Sequence, residues 1–197
     1  MGKTSSRFKA IRPRLWVIYF FWAPLWVGCD HQNQPSQAPT PLNLTLPPKF
    51  PELPPSPENP LTIQGVTLGR ALFYDKSLSR DETISCASCH IPDFGFSDPN
   101  ALSRGVGGLT GERQSMPLIN LGWIDMLFWD GRAASLEEQA LFPITSHFEM
   151  GNTFPEIISR LNASLEYPRL FRAAFSSPDI TQTRILQALA QDRKSVV

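Results

Sequence analysis

The chain has 197 residues, with 18 basic and 18 acidic side chains and a formal net charge of zero. No basic run stands out beyond the first 14 residues, so the cationic surface that phosphate-backbone binding demands is missing and nucleic acid is not expected as a partner. The length leaves room for one ordinary domain once its two N-terminal segments are set aside.

The N-terminus carries Lys3, Arg7, Lys9, Arg12 and Arg14 ahead of an apolar stretch from Leu15 to Gly28. That stretch is shorter than the roughly twenty residues that span a bilayer, and Pro24 interrupts it, so residues 1–29 are expected to be an export signal and not a membrane span. Trp26-Val27-Gly28-Cys29 closes it in the manner of a lipoprotein signal, where cleavage leaves an N-terminal cysteine that is acylated. Trp26 stands where a leucine is expected, and ordinary secretion is the competing reading. Either reading places the protein in the periplasm or cell envelope; the favoured one anchors it to lipid through Cys29.

From Asp30 to Pro60 the chain holds ten prolines among mostly Gln, Asn, Ser and Thr. Too little apolar surface is present to offset ordering entropy, and residues 30–60 are expected to be a tether biased toward extended backbone. Residues 61–197 form the domain. Ile63, Val66 and Leu72 suit one face of a helix ending near Asp75, and Ile84 to Cys89 suit a turn. Cys86-Ala-Ser-Cys-His90 is the attachment signature of c-type haem: two thiols can form thioethers to the two vinyl groups, and the histidine can place a nitrogen on the iron. A zinc site would want four ligands at paired spacing. A thioredoxin-like pair would sit in alternating strands and helices, and a Cys86–Cys89 disulfide is the remaining alternative. One covalently bound haem c is the reading adopted.

Between Ile91 and Met116 glycine and proline recur without a period, which predicts a long loop of the kind that usually carries function. Ser135-Leu136-Glu137-Glu138 and Thr153-Phe154-Pro155-Glu156 read as capping boxes opening two helices, the second with Ile157, Ile158, Leu161 and Leu165 inward. A last helix is predicted from Thr181, with Ile185, Leu186 and Leu189 inward. Strand signals are weak throughout.

Four stretches carry a family resemblance: Leu68-Gly69-Arg70-Ala71-Leu72-Phe73-Tyr74-Asp75, Ile84-Ser85-Cys86-Ala87-Ser88-Cys89-His90, Phe128-Trp129-Asp130-Gly131-Arg132-Ala133 and Glu149-Met150-Gly151. In order and separation they resemble the N-terminal, peroxidatic haem domain of the bacterial di-haem cytochrome c peroxidases and their methylamine-utilisation maturation relatives. The resemblance implies an all-α, cytochrome c-like helical haem domain with long loops. It implies His90 as proximal iron ligand, Glu149 as the acid/base that moves peroxide's proton, and Gln139 as the amide that orients peroxide or water. Trp129 resembles the tryptophan lying between two haems, with a buried core aromatic as the plainer alternative. For Arg132 an ion pair with Asp130 or a haem propionate contact is expected.

The chain departs from the family pattern in three places. Gated members carry an iron-capping histidine in the loop that reads Ser103-Arg104-Gly105-Val106-Gly107-Gly108 here, so an open sixth iron position is expected, with His147 the first rival ligand and Met150 a weaker one. Gln114 stands where an asparagine is expected after Arg113, and calcium is not predicted. The second haem domain is expected to be absent from this chain. The implied function is reduction of hydrogen peroxide with electrons from a cytochrome or other redox partner; the alternative is a single-haem electron carrier or an inactive fragment of a di-haem peroxidase.

Overall fold

The computed structural model describes residues 38–197, together with Gly2. The rest of the expected signal segment, Cys29 and the start of the expected tether lie outside the described residues. Among the described residues the regular structure is five α-helices, short single turns and four isolated bridges, in keeping with the all-α expectation.

Helix α1 (Ile63–Tyr74) starts where the Thr62 hydroxyl accepts from the Gly65 N–H at 3.0 Å, satisfying one donor that the first turn would otherwise leave unpaired. It ends at Asp75, whose carboxylate accepts from the Ser77 N–H at 2.8 Å. Helix α2 (Leu136–Thr145) starts at Ser135, which accepts from the Glu138 N–H at 3.0 Å, while Glu138 reaches back to the Ala134 N–H at 2.9 Å. The expected reciprocal cap thus closes one residue upstream. Helix α3 (Phe154–Ala163) buries Ile157 and Leu161 as predicted. Its expected capping box does not form: Thr153 makes no side-chain cap bond, and Glu156 instead pairs with Arg160 one turn on at 3.5 Å.

Leu165 was expected inward and is 86% exposed. The helix has already stopped, because Ser164 is extended and a separate helix α4 (Tyr167–Phe175) follows, with Pro168 in its first turn and Phe171 and Ala174 buried. Proline at that position needs no N–H partner. Helix α5 (Gln182–Lys194), capped by Thr181, buries residues along nearly its whole length and packs against α1, α2 and α4.

The α1–α5 contact depends on glycine. A Cβ on Gly69 would lie 2.0 Å from the Ala188 carbonyl oxygen, so backbone must move to admit it. Gly69→Ala is therefore expected to destabilise the domain by about 1–3 kcal/mol, the overpacking cost exceeding the gain in helix propensity of about 1 kcal/mol. The urea midpoint of the protein checks this; an unchanged or raised midpoint would mean that the two helices can separate freely.

Residues 40–60 are not a free tether. Leu42 N–H donates to Leu61 O at 3.0 Å and Ile63 N–H to Thr40 O at 2.9 Å. Phe50 packs edge-on against Trp123 at 5.1 Å, and the Trp123 indole donates to Glu52 O at 3.2 Å. Buried Asn59 donates to Glu137 at 2.6 Å and to Gln187 O at 3.0 Å, and accepts from Gln191 at 2.8 Å. Proline leaves the backbone less entropy to lose, so a few satisfied polar contacts suffice to hold such a segment on the surface.

Candidate functional site

The Cys86–Ser88 turn is set by the Ser85 N–H donating to the Ser88 hydroxyl and the His90 N–H donating to Cys86 O, both at 3.0 Å. Just beyond it the chain folds back: Ile91 N–H donates to Ser97 O at 3.0 Å and Phe96 N–H to Ile91 O at 2.9 Å. This holds the Phe96 carbonyl 3.0 Å from His90 Nδ1. A carbonyl only accepts, so the proton sits on Nδ1 and the Nε2 lone pair is left for a ligand bond. Burial lowers the His90 pKa against the raising effect of the Phe96 carbonyl, which favours the neutral, metal-binding imidazole.

Both cysteines are free thiols. Burial pushes the Cys86 thiol up to about 11. Burial raises the Cys89 thiol as well, with the Ser103 hydroxyl opposing.

A second wall comes from the loop before α2. The Leu127 N–H bonds Ala133 O at 2.9 Å, closing a turn in which Phe128 and Gly131 take left-handed backbone. Asp130 accepts from Arg113 at 2.8 Å and from Arg132 at 2.9 Å, and the Arg132 guanidinium lies 3.7 Å from the centre of the Phe128 ring. Arg132 thus makes the expected ion pair. Trp129 is no core aromatic: it is 62% exposed, with its indole donating to Gln114 O at 3.2 Å.

Glu149 follows α2. Pro143 lies inside that helix, which ends two residues later, and the chain turns back so that Glu149 N–H bonds Ser146 O at 3.1 Å and Met150 N–H bonds Pro143 O at 3.0 Å. The loop expected to lack an iron-capping histidine docks here: Val106 N–H donates to Glu149 O at 2.9 Å, and a Cβ on Gly105 would fall 2.0 Å from Phe148 O. Although Glu149 is exposed as a residue, desolvation at the wall raises its carboxyl pKa, opposed by the Arg132 charge.

These elements enclose a cavity of about 480 Å³, inside the roughly 300–1,000 Å³ range of cofactor pockets. Cys86, Cys89, His90, Trp129, Arg132, Gln139 and Glu149 all line it, together with apolar residues including Phe73, Leu127, Ile144 and Leu189. Residues 86 to 149 in sequence therefore converge on one space. His147 does not line the cavity; it is exposed and packs edge-on against Phe148. Met150 is buried and does line it. Arg193 also lines the cavity and went unnoticed in the sequence. It lies eight residues after Ile185 and four after Leu189, on the same inward stripe of α5, and that spacing was the available signal.

An apolar cavity bearing two neighbouring free thiols and a neutral imidazole with its second nitrogen anchored fits a haem held through Cys86 and Cys89 with His90 toward the iron. When bound, haem would supply electron-transfer chemistry.

Residues 63–197 match the family model described as di-haem cytochrome c peroxidase. The chain is 41% identical to the methylamine utilization protein MauG of Methylophilus methylotrophus over 163 residues, covering 80% of this chain and 49% of the relative. It is 34% identical to the cytochrome c peroxidase Ccp of Escherichia coli (strain K12) over 173 residues, covering 85% and 33%. It superposes on the crystal structure of a MauG-like protein associated with microbial copper homeostasis with a TM-score of 0.74 at 34% identity, covering 79% of this chain and 47% of that one. The chain thus spans about half the length, or less, of the curated relatives it matches. The sequence match, the helical framework and the cavity around Cys86, Cys89 and His90 together place this chain in the di-haem cytochrome c peroxidase family.

Proposed function

We propose that this chain is a haem c peroxidase-type oxidoreductase domain that reduces hydrogen peroxide with electrons from a cytochrome or other redox protein. One haem is attached covalently through Cys86 and Cys89, with His90 as its proximal ligand. The overall reaction takes one peroxide, two electrons and two protons to two waters. The observation that carries the reading is Glu149, a desolvated carboxyl on the wall of the cavity that His90 also lines. A carboxylate there accepts a proton from one peroxide oxygen and returns it to the other as the O–O bond breaks. The Gln139 amide, on the same cavity, orients the substrate by hydrogen bonding. Exposed Trp129 beside the cavity provides an aromatic route for electrons arriving from a partner. The N-terminal pattern supports export to the cell envelope with an anchor at Cys29; a mature N-terminus lacking a lipid-modified Cys29 would exclude that anchor.

The test is the optical and EPR spectrum of the ferric protein, made in a host that attaches c-type haem, before and after stoichiometric peroxide. A high-spin signal that peroxide converts to an oxidised species is expected. A low-spin signal indifferent to peroxide would mean a filled sixth position and an electron carrier, with Met150 on the cavity wall the first ligand to replace.

A further inference from the structure

Arg193, in the last turn of α5, is 6% exposed and lines the cavity. A buried guanidinium without a charge partner is costly, and the carboxylates around this one are engaged elsewhere. Asp192 pairs with Arg70 at 3.2 Å and Glu137 with Lys194 at 3.7 Å. Arg193 instead spends its donors on neutral acceptors: Nε donates to Leu189 O at 3.3 Å, and Nη1 donates to Gln139 Oε1.

The second bond has a chemical consequence. A guanidinium has donors only, so the amide atom facing it must be the oxygen. The amide nitrogen, with its two hydrogens, is then the free end of Gln139. A second, non-local effect comes with the first: a full positive charge in an apolar wall favours an anion in the cavity over a neutral molecule.

We propose that Arg193 is the positioning residue of this site: by holding the oxygen of Gln139 it presents the amide of that residue as a hydrogen-bond donor, and so selects ligands that accept, such as the oxygens of peroxide or a small anion. This rests on the reading of Gln139 as the amide that meets bound substrate. Without Arg193 the amide can rotate, and an oxygen lone pair turned toward an anionic ligand repels it. Lysine at 193 keeps the charge and a donor but not the planar fork.

The experiment uses the full haem-loaded chain and two probes, fluoride binding to the ferric form and the C–O stretch of the carbonyl complex of the ferrous form. Arg193→Met is expected to weaken fluoride about tenfold, a hydrogen bond to a charged group being lost, and to raise the C–O stretch as donation to the ligand falls. Arg193→Lys should recover most of both changes. Gln139→Leu should weaken fluoride by a similar factor, and adding Arg193→Met to it should weaken fluoride little further, because the two side chains act as a unit. If Gln139→Leu weakens fluoride but Arg193→Met binds it as the parent does, the positioning role is wrong while the reading of Gln139 stands. If Gln139→Leu changes neither probe, that reading itself fails and the proposal with it. Should Arg193→Met not load haem, Arg193→Lys with and without Gln139→Leu decides: fully independent effects of the two substitutions would overturn the coupling.

Discussion

Replacing Glu149 by glutamine is expected to lower the rate of peroxide cleavage by about 10²–10⁴-fold, the usual worth of a positioned acid/base, while haem content and the ferric spectrum stay unchanged. Glutamine keeps the shape and loses the ionisable proton. The surrounding bonds run through the main chain, from Glu149 N–H to Ser146 O at 3.1 Å and from Val106 N–H to Glu149 O at 2.9 Å, so the substitution leaves the loop contact in place. Desolvation raises the Glu149 pKa above that of an ordinary glutamate. Since the residue must be deprotonated to accept a proton, the parent rate should fall as pH drops through that raised value, and the variant should lack the limb. The sign for stability is the opposite. A carboxyl whose pKa is raised by folding favours the fold in its protonated form, and this contribution is lost as pH rises through the raised value. At neutral pH, removing the desolvated charge should therefore leave the protein at least as stable, a trade of stability for function. Single-turnover peroxide kinetics across pH, with thermal midpoints at neutral pH, check both signs; a variant as fast as the parent would remove Glu149 from the mechanism.

The second large effect is expected from Cys86→Ala combined with Cys89→Ala, which should abolish covalent haem while each single replacement retains haem through one thioether. A loss of packed tertiary structure should accompany the loss of haem in the double variant. Without haem, water enters the cavity of about 480 Å³ and wets Phe73, Leu127 and Leu189, all of which line it, at a cost of about 1.5–3 kcal/mol for each such side chain fully exposed. The helices α3 and α4 lie outside this lining, so helical content should persist. Haem staining after denaturing electrophoresis, with near- and far-ultraviolet circular dichroism, tests the claim; a double variant that retains haem on the gel, or stays rigid without it, would contradict it.

Local signals were legible wherever the physics is local. Ser135 and Thr181 cap two helices through bonds to residues three positions on, and the inward stripe of α5 follows from its period. The turn expected from Ile84 to Cys89 forms at Cys86–Ser88, because its bonds reach no further than three or four residues. Where sequence reading went astray, the deciding contact was distant or two local preferences competed. The stretch before Pro60 looked too polar to order, yet Asn59 finds partners 78 and 132 residues away. Leu165 continued a helical stripe that the extended Ser164 cut short. Trp129 read equally as a core aromatic until the fold left it in solvent.

By itself, then, the sequence determined the helices opened by Ser135 and Thr181, the turn that carries Cys86 to His90 and, through its family likeness, which carboxylate and amide to look for. Only the tertiary structure decided which side chains share the cavity. The packing of α5 against α1 and α2 brings Arg193 to Gln139 across 54 residues, and the docking of Val106 on the Glu149 carbonyl sets that carboxyl at the cavity wall. Capping and periodicity act within one or two turns, whereas a cavity is the sum of contacts between segments whose separation no local pattern encodes.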